Sequence, residues 1–182
     1  MKKIFLLLVS IAFGLNSYAQ DSSIFDKFED YDEVTTIVVT QQAFKMLQKV
    51  SSDSEEGVEF QKLISGLEDL KIFTTEDTKT ADEMRATFDK YLKSKKLSEL
   101  MRIKDKDANV RIYIREGKDE DHVSEFLMIV DEMNVKVNHK GRGAQEVVII
   151  SLTGDIDLNN ISKITTNMNI PAGEYLEKAE KK

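Results

Sequence analysis

The chain has 182 residues, 41% hydrophobic and 8% aromatic, with 26 basic side chains against 33 acidic ones, no cysteine, no tryptophan and one proline. The missing cysteine excludes disulfides, thiolate metal sites, a cysteine nucleophile and a lipid-modified cysteine. A net charge of −7 opposes the concentrated positive face that a nucleic-acid backbone requires.

The first nineteen residues read as a secretory signal peptide. Lys2 and Lys3 supply the positive start, residues 4–13 a run that is apolar apart from Ser10, and Ser17-Tyr18-Ala19 the small residues that signal peptidase reads. The apolar run is about half of the roughly 20 residues needed to cross a bilayer, so the expectation is cleavage before Gln20 rather than anchoring. The expected mature product, residues 20–182, loses two lysines and carries a charge of −9. It has no further apolar span, which predicts a soluble protein of the periplasm or the medium. Its length suffices for one domain with a full core.

Residues 21–32 are polar apart from Ile24, Phe25, Phe28 and Tyr31, whose spacing predicts a short amphipathic helix or a docked leader. The β-branched run 34–40 predicts a strand, after which Thr40 can cap a helix with Phe44, Leu47 and Val50 on one face. Residues 51–57 read as a loop or helix break, and Leu63, Ile64 and Leu67 renew a helical face with Gly66 near its end. Residues 70–74 predict a second strand. Thr80 with Glu83 makes a capping box for a helix over about 80–96 that carries Met84, Phe88, Tyr91 and Leu92 on one side.

From Ser98 the period changes to two. Met101 and Ile103, then Val110, Ile112 and Ile114, alternate with polar residues, which predicts strands with one buried and one wet face. Residues 126–130 and 147–152 are apolar on both faces, as strands near a sheet centre are. Between them, residues 133–143 predict a polar hairpin arm. Residues 153–157 leave the last strand, and Asp157 can cap a final helix through Leu158, Ile161, Ile164 and Met168, with Pro171 and Gly173 beyond it and a polar tail from about 172. The order predicts a single α+β domain over 20–182: a mainly antiparallel sheet of five to six strands with helices packed on one face. Its β-α-β-α beginning invites comparison with ferredoxin-like halves.

The residues that carry chemistry are sparse. His122 sits in an acidic turn and His139 at the tip of the arm, neither with a second histidine at metal-ligand spacing. No nucleophile elbow or phosphate loop occurs, and Gly141-Arg142-Gly143 lacks the lysine and hydroxyl residue that complete a Walker loop. Asp155 and Asp157 have the spacing of a calcium loop without its remaining ligands, and the helix cap accounts better for Asp157. Lys136, His139, Lys140 and Arg142 gather positive charge on an acidic chain, so the arm is a candidate contact for an anionic ligand or partner, against the plainer reading of a solvated tip. No catalytic, cofactor-binding or metal-binding residue is assigned, and no cofactor is expected.

Several strings carry a resemblance: Tyr18-Ala19-Gln20, the stretch 34–47, Val110-Arg111-Ile112-Tyr113-Ile114, and Val148-Ile149-Ile150-Ser151-Leu152-Thr153-Gly154-Asp155-Ile156-Asp157. Over nearly all of the mature chain the sequence resembles domain-of-unknown-function family 4252, an exported family of Bacteroidota proteins. The resemblance implies a small envelope protein with no established enzymatic role and supplies no site residue, and the arm 133–143 is extended relative to the family pattern. The expected function is a non-catalytic binding or accessory, regulatory module of the cell envelope, presenting the outer face of its sheet or the arm to another protein or a small ligand. The alternatives are a carboxylate-dependent hydrolase acting on an envelope polymer and a homo-oligomeric structural protein. Ligand, partner and oligomeric state stay open at this level.

Overall fold

Six stretches of alternating or continuous apolar residues pair into one antiparallel sheet in the computed structural model, which describes residues 23–50, 55–104, 108–132, 146–161 and 163. The strands are β1 (Thr35–Thr40), β2 (Leu67–Thr75), β3 (Ser98–Lys104), β4 (Ala108–Glu116), β5 (His122–Glu132) and β6 (Glu146–Asp157), and they lie in the order β1-β2-β6-β5-β4-β3. Helices α1 (Gln41–Val50) and α2 (Glu55–Ile64) join β1 to β2, and α3 (Thr78–Ser94) carries the chain from β2 to the far edge. From there β3 to β6 meander back until β6 pairs with β2. Because β1 and β2 are antiparallel neighbours, the β-α-β start is not a ferredoxin-like half, whose crossover joins parallel strands.

The expected α+β class and six-stranded sheet are present, but helices cover both faces rather than one. On one face Phe44 of α1 and Leu63 and Ile64 of α2 pack with Ile72, Met128 and Ile150. On the other, Ala81, Met84 and Phe88 of α3, with Phe28 of a short 3-10 helix (Asp26–Asp30) and Phe25 just before it, pack with Phe73, Leu127, Ile129 and Ile149. The cause is in the central strands: every residue from Phe126 to Val130 and from Val147 to Ile150 is buried, so each face needs a cover. Each large apolar side chain so buried contributes about 1.5–3 kcal/mol of transfer free energy. The outer sheet face on which the expected partner was to dock is therefore occupied by helix.

Local chemistry moves three boundaries. Helix α2 stops at Ile64, Gly66 turns the chain with φ +92°, and Leu67 opens β2 instead of extending the helix. Helix α3 begins at Thr78 because Asp77, not Thr80, is its cap: the Asp77 carboxylate accepts from the Thr80 N–H at 2.8 Å and from the Thr80 hydroxyl at 2.8 Å. Glu83, freed from the capping box, accepts from Lys27 at 2.7 Å and from the Tyr31 hydroxyl at 3.0 Å and so ties the opening segment to α3. Strand β6 does not end before Gly154 but runs on to Asp157, and a Cβ at Gly154 (φ +130°) would stand 2.3 Å from the Gly66 carbonyl oxygen. Only glycine fits that contact.

Two expected caps are present. The Thr40 hydroxyl accepts from the Ala43 N–H at 3.4 Å, and Asp157 accepts from the Asn159 N–H at 2.9 Å to begin a 3-10 turn (Leu158–Asn160). The rest of the expected final helix, with Ile164 and Met168, lies outside the described residues, as do Pro171, Gly173 and the arm 133–143.

Candidate functional site

Across the α3 face the lateral rows of the sheet change character along the strands. Phe73, Ile149 and Ile129 form an apolar row, Lys71, Ser151, Leu127 and Tyr113 a mixed one, and Asp69, Thr153, Glu125 and Arg115 a wholly polar one. Helix α3 covers the apolar rows and ends just over the polar one, where Tyr91, Ser94 and Lys95 make one wall and Ser23 and Ile24 another. The hollow between them has a volume of about 610 Å³, within the usual range for a small-molecule site.

A bulge sets its deepest residue. The β4–β5 and β5–β6 registers both skip Ser124, between Val123 and Glu125, and the Ser124 hydroxyl donates to the Glu116 carbonyl at 3.0 Å. An extra residue in a strand re-aims its neighbours. Glu125 is turned onto the α3 face with only 4% of its surface exposed. Its Oε1 accepts from the Tyr91 hydroxyl at 2.6 Å, and its Oε2 accepts from Arg115 Nη2 at 2.6 Å and Nε at 3.1 Å.

Both carboxylate oxygens are thus engaged, which removes Glu125 as a free base. Burial, together with the bond to Glu125, pushes the Tyr91 phenol well above its ordinary pKa, so it stays a protonated donor. Arg115 is held firmly charged by Glu125. Two of the five guanidinium N–H donors go to that carboxylate, and the others remain on a side chain that lines the hollow.

At the far end of the row the balance is reversed. Lys71 is bonded to Asp26 and to Glu29 (3.3 Å) and lies 3.8 Å from Asp69, so three carboxylates already share one ammonium. Burial raises the pKa of Asp69 against the pull of Lys71, and Asp26 and Glu29 raise it further. Ionised Asp69 is short of positive charge.

A larger hollow of about 850 Å³ opens on the other face at the same end of the sheet, beside Glu59, His122, Asp155 and Asp157. Its acids are committed elsewhere: Glu59 to Lys163 at 2.8 Å, Asp155 to Lys118 at 2.6 Å and Asp157 to its cap. His122 opens β5 with Nδ1 2.6 Å from Asp119 Oδ1. Among the described residues no group of histidine, aspartate and glutamate could hold a metal ion. The other candidate contacts, Lys136, His139, Lys140 and Arg142, lie outside the described residues.

Sequence reasoning passed over Glu125, Arg115 and Asp69. Arg115 reads from the alternation as an ordinary wet-face residue, and Glu125 lies just outside the apolar run 126–130. The available signal was the direct adjacency of an acid to a strand apolar on both faces.

Kinship is settled by the sequence profile of a protein family, which matches residues 28–164. The chain belongs to the family described as Domain of unknown function (DUF4252). The part of the chain shared with DUF4252 contains all six strands and all three helices, and of the residues lining the polar hollow only Ser23 and Ile24 fall outside it. Neither curated proteins nor solved structures match this DUF4252 chain.

Proposed function

We propose that the chain is an exported, non-catalytic binding module of the cell envelope that takes a short zwitterionic ligand, such as a small peptide, into the polar hollow. The observation that carries this reading is the division of charge along one row of the sheet. Arg115 retains donors at one end, and at the other Asp69 is an under-compensated carboxylate. They stand three strands apart, about 14 Å between backbones at the usual strand spacing, and their side chains shorten that gap toward the length of two or three extended residues. A ligand carboxylate meets Arg115, its ammonium meets Asp69, and the hydroxyls of Ser151 and Thr153 lie between.

Export rests on the tripartite N-terminus, residues 1–19. Calorimetric titration with trialanine tests the binding reading. Saturable binding by the wild type, lost in Asp69→Asn and Arg115→Met, is expected. Equal binding of acetylated, amidated trialanine would overturn the zwitterion assignment.

The raised pKa of Asp69 in the same hollow also favours a carboxylate-dependent hydrolase as a second reading. Cleavage products accumulating in the same titration, and lost in Asp69→Asn, would select it.

A further inference from the structure

The two edges of the sheet are built differently. Strand β3 carries Glu99, Arg102 and Lys104 and breaks register between Glu99 and Met101, and charge and irregularity are devices that keep other strands from adding to an edge. Strand β1 has neither. Its sequence Thr-Thr-Ile-Val-Val-Thr holds no charge, glycine or proline, and it pairs with β2 without interruption from Thr35 to Thr40. Ile37 is 44% and Val38 42% exposed, and because neighbours on a strand point to opposite faces, apolar surface lies open on both sides of this edge. Among the described residues nothing pairs with β1 on its outer side.

Charge identifies the occupant. The stretch 35–50, which comprises β1 and α1, contains no acidic residue in a chain with 33 of them. Helix α1 packs beside β1 and exposes two parallel stripes, Lys45 with Lys49 and Met46 with Val50. Among the described residues Lys45 bonds only to the neutral Gln41, and neither lysine forms an ion pair. A neutral, β-prone edge beside a basic and apolar helix stripe fits an extended segment with β-branched residues flanked by acids. A second copy pairing β1 with β1 would bring two lysine-bearing α1 helices together, which like charge opposes.

We propose that β1 is a docking edge onto which an acidic, extended segment of a partner protein adds as a seventh strand, with its acidic flank against Lys45 and Lys49. The test uses the full mature chain, isotopically labelled, titrated with a synthetic peptide of alternating valine and threonine bearing two glutamates at each end. Saturable amide shifts confined to residues 35–40 and α1 are expected. Ile37→Asp should weaken binding about tenfold, and Lys45→Glu with Lys49→Glu, which leaves strand pairing untouched, should weaken it several-fold and flatten its salt dependence. A circular dichroism spectrum like that of the wild type establishes that each variant is folded. Three results would overturn the proposal: shifts outside this region, binding of a lysine-flanked peptide just as tight, or a concentration-dependent dimer in sedimentation that Ile37→Asp abolishes, which gives the edge to a second copy.

Discussion

Arg115 of β4 and Glu125 of β5 stand opposite each other in the sheet and meet as an ion pair 2.6 Å long over its polar end. The carboxylate is almost fully buried and the guanidinium is not: their side chains are 6% and 37% exposed. Such asymmetry makes the pair a poor source of stability and a good way to hold an arginine in place.

Removing the arginine leaves Glu125 buried with Tyr91 alone as a donor. Arg115→Met should cost about 2 kcal/mol, reduced from the full penalty for a broken buried pair by the solvent access of the arginine. Urea unfolding checks this. An unchanged midpoint would mean that water reaches Glu125 freely.

Tyr91 gives the fold an alkaline limit. Its folded pKa is raised above the ordinary 10.0, so its contribution is complete below pH 10.0 and is lost as pH rises from there through the folded value. Tyr91→Phe should remove that part of the alkaline loss of stability, at a cost of about 1 kcal/mol at neutral pH for the missing hydrogen bond to Glu125. Thermal melts from neutral pH upward read both effects.

Asp69 behaves in the opposite sense to a stabilising carboxylate. Its raised folded pKa means that the protonated form is favoured, an advantage complete below the ordinary 3.8 and lost as pH rises through the folded value. At neutral pH the ionised side chain is a liability. Asp69→Asn should therefore melt slightly higher than wild type at pH 7, with the difference closing in acid, while losing trialanine binding. A lower melting point at pH 7 would show that Asp69 serves the fold.

Gly154 tests the close approach of β6 to the Gly66 turn at the start of β2. Gly154→Ala forces φ +130° on a side-chain-bearing residue and drives its Cβ to 2.3 Å from the Gly66 carbonyl oxygen, 2.8 Å from the Glu68 nitrogen and 2.9 Å from the Leu67 Cα. The contacts are backbone and cannot swing aside, so a loss of about 3 kcal/mol or more is expected. Gly66→Ala meets Asp155 at 3.1 Å and should cost less.

Processing is checked at the terminus itself. Sequencing of the exported protein should begin at Gln20, and a mature chain that keeps Met1 would contradict the cleavage reading.

The fold was largely legible because it rests on periodicity. Val110, Ile112 and Ile114 announced a strand by alternation, and residues 126–130 and 147–152 announced central strands by having no wet face. That second pattern implies helices on both sides of the sheet, as Phe44 and Leu63 on one face and Met84 and Phe88 on the other show, whereas element order alone leaves the choice of face open. Local competition hid the rest. Asp77 outcompetes Thr80 as a cap because its carboxylate reaches both the N–H and the hydroxyl of Thr80, and Gly66 ends a helix where Leu67 alone would have continued its face.

The candidate site was not legible for a different reason. Asp69, Thr153, Glu125 and Arg115 come from four strands scattered over the sequence and meet only through register, which a skipped Ser124 shifts by one residue. Nothing short of pairing discloses such a row.

The central claim, that the polar end of the sheet is a ligand site, is tested most directly by following backbone amides of the labelled mature chain during a trialanine titration. The account predicts saturable shifts at Ser124, Glu125, Ser151 and Thr153 and at the end of α3 around Tyr91 and Lys95, absent in Arg115→Met. Shifts confined to the opposite hollow near His122 and Asp155, or none up to saturating peptide, would contradict it.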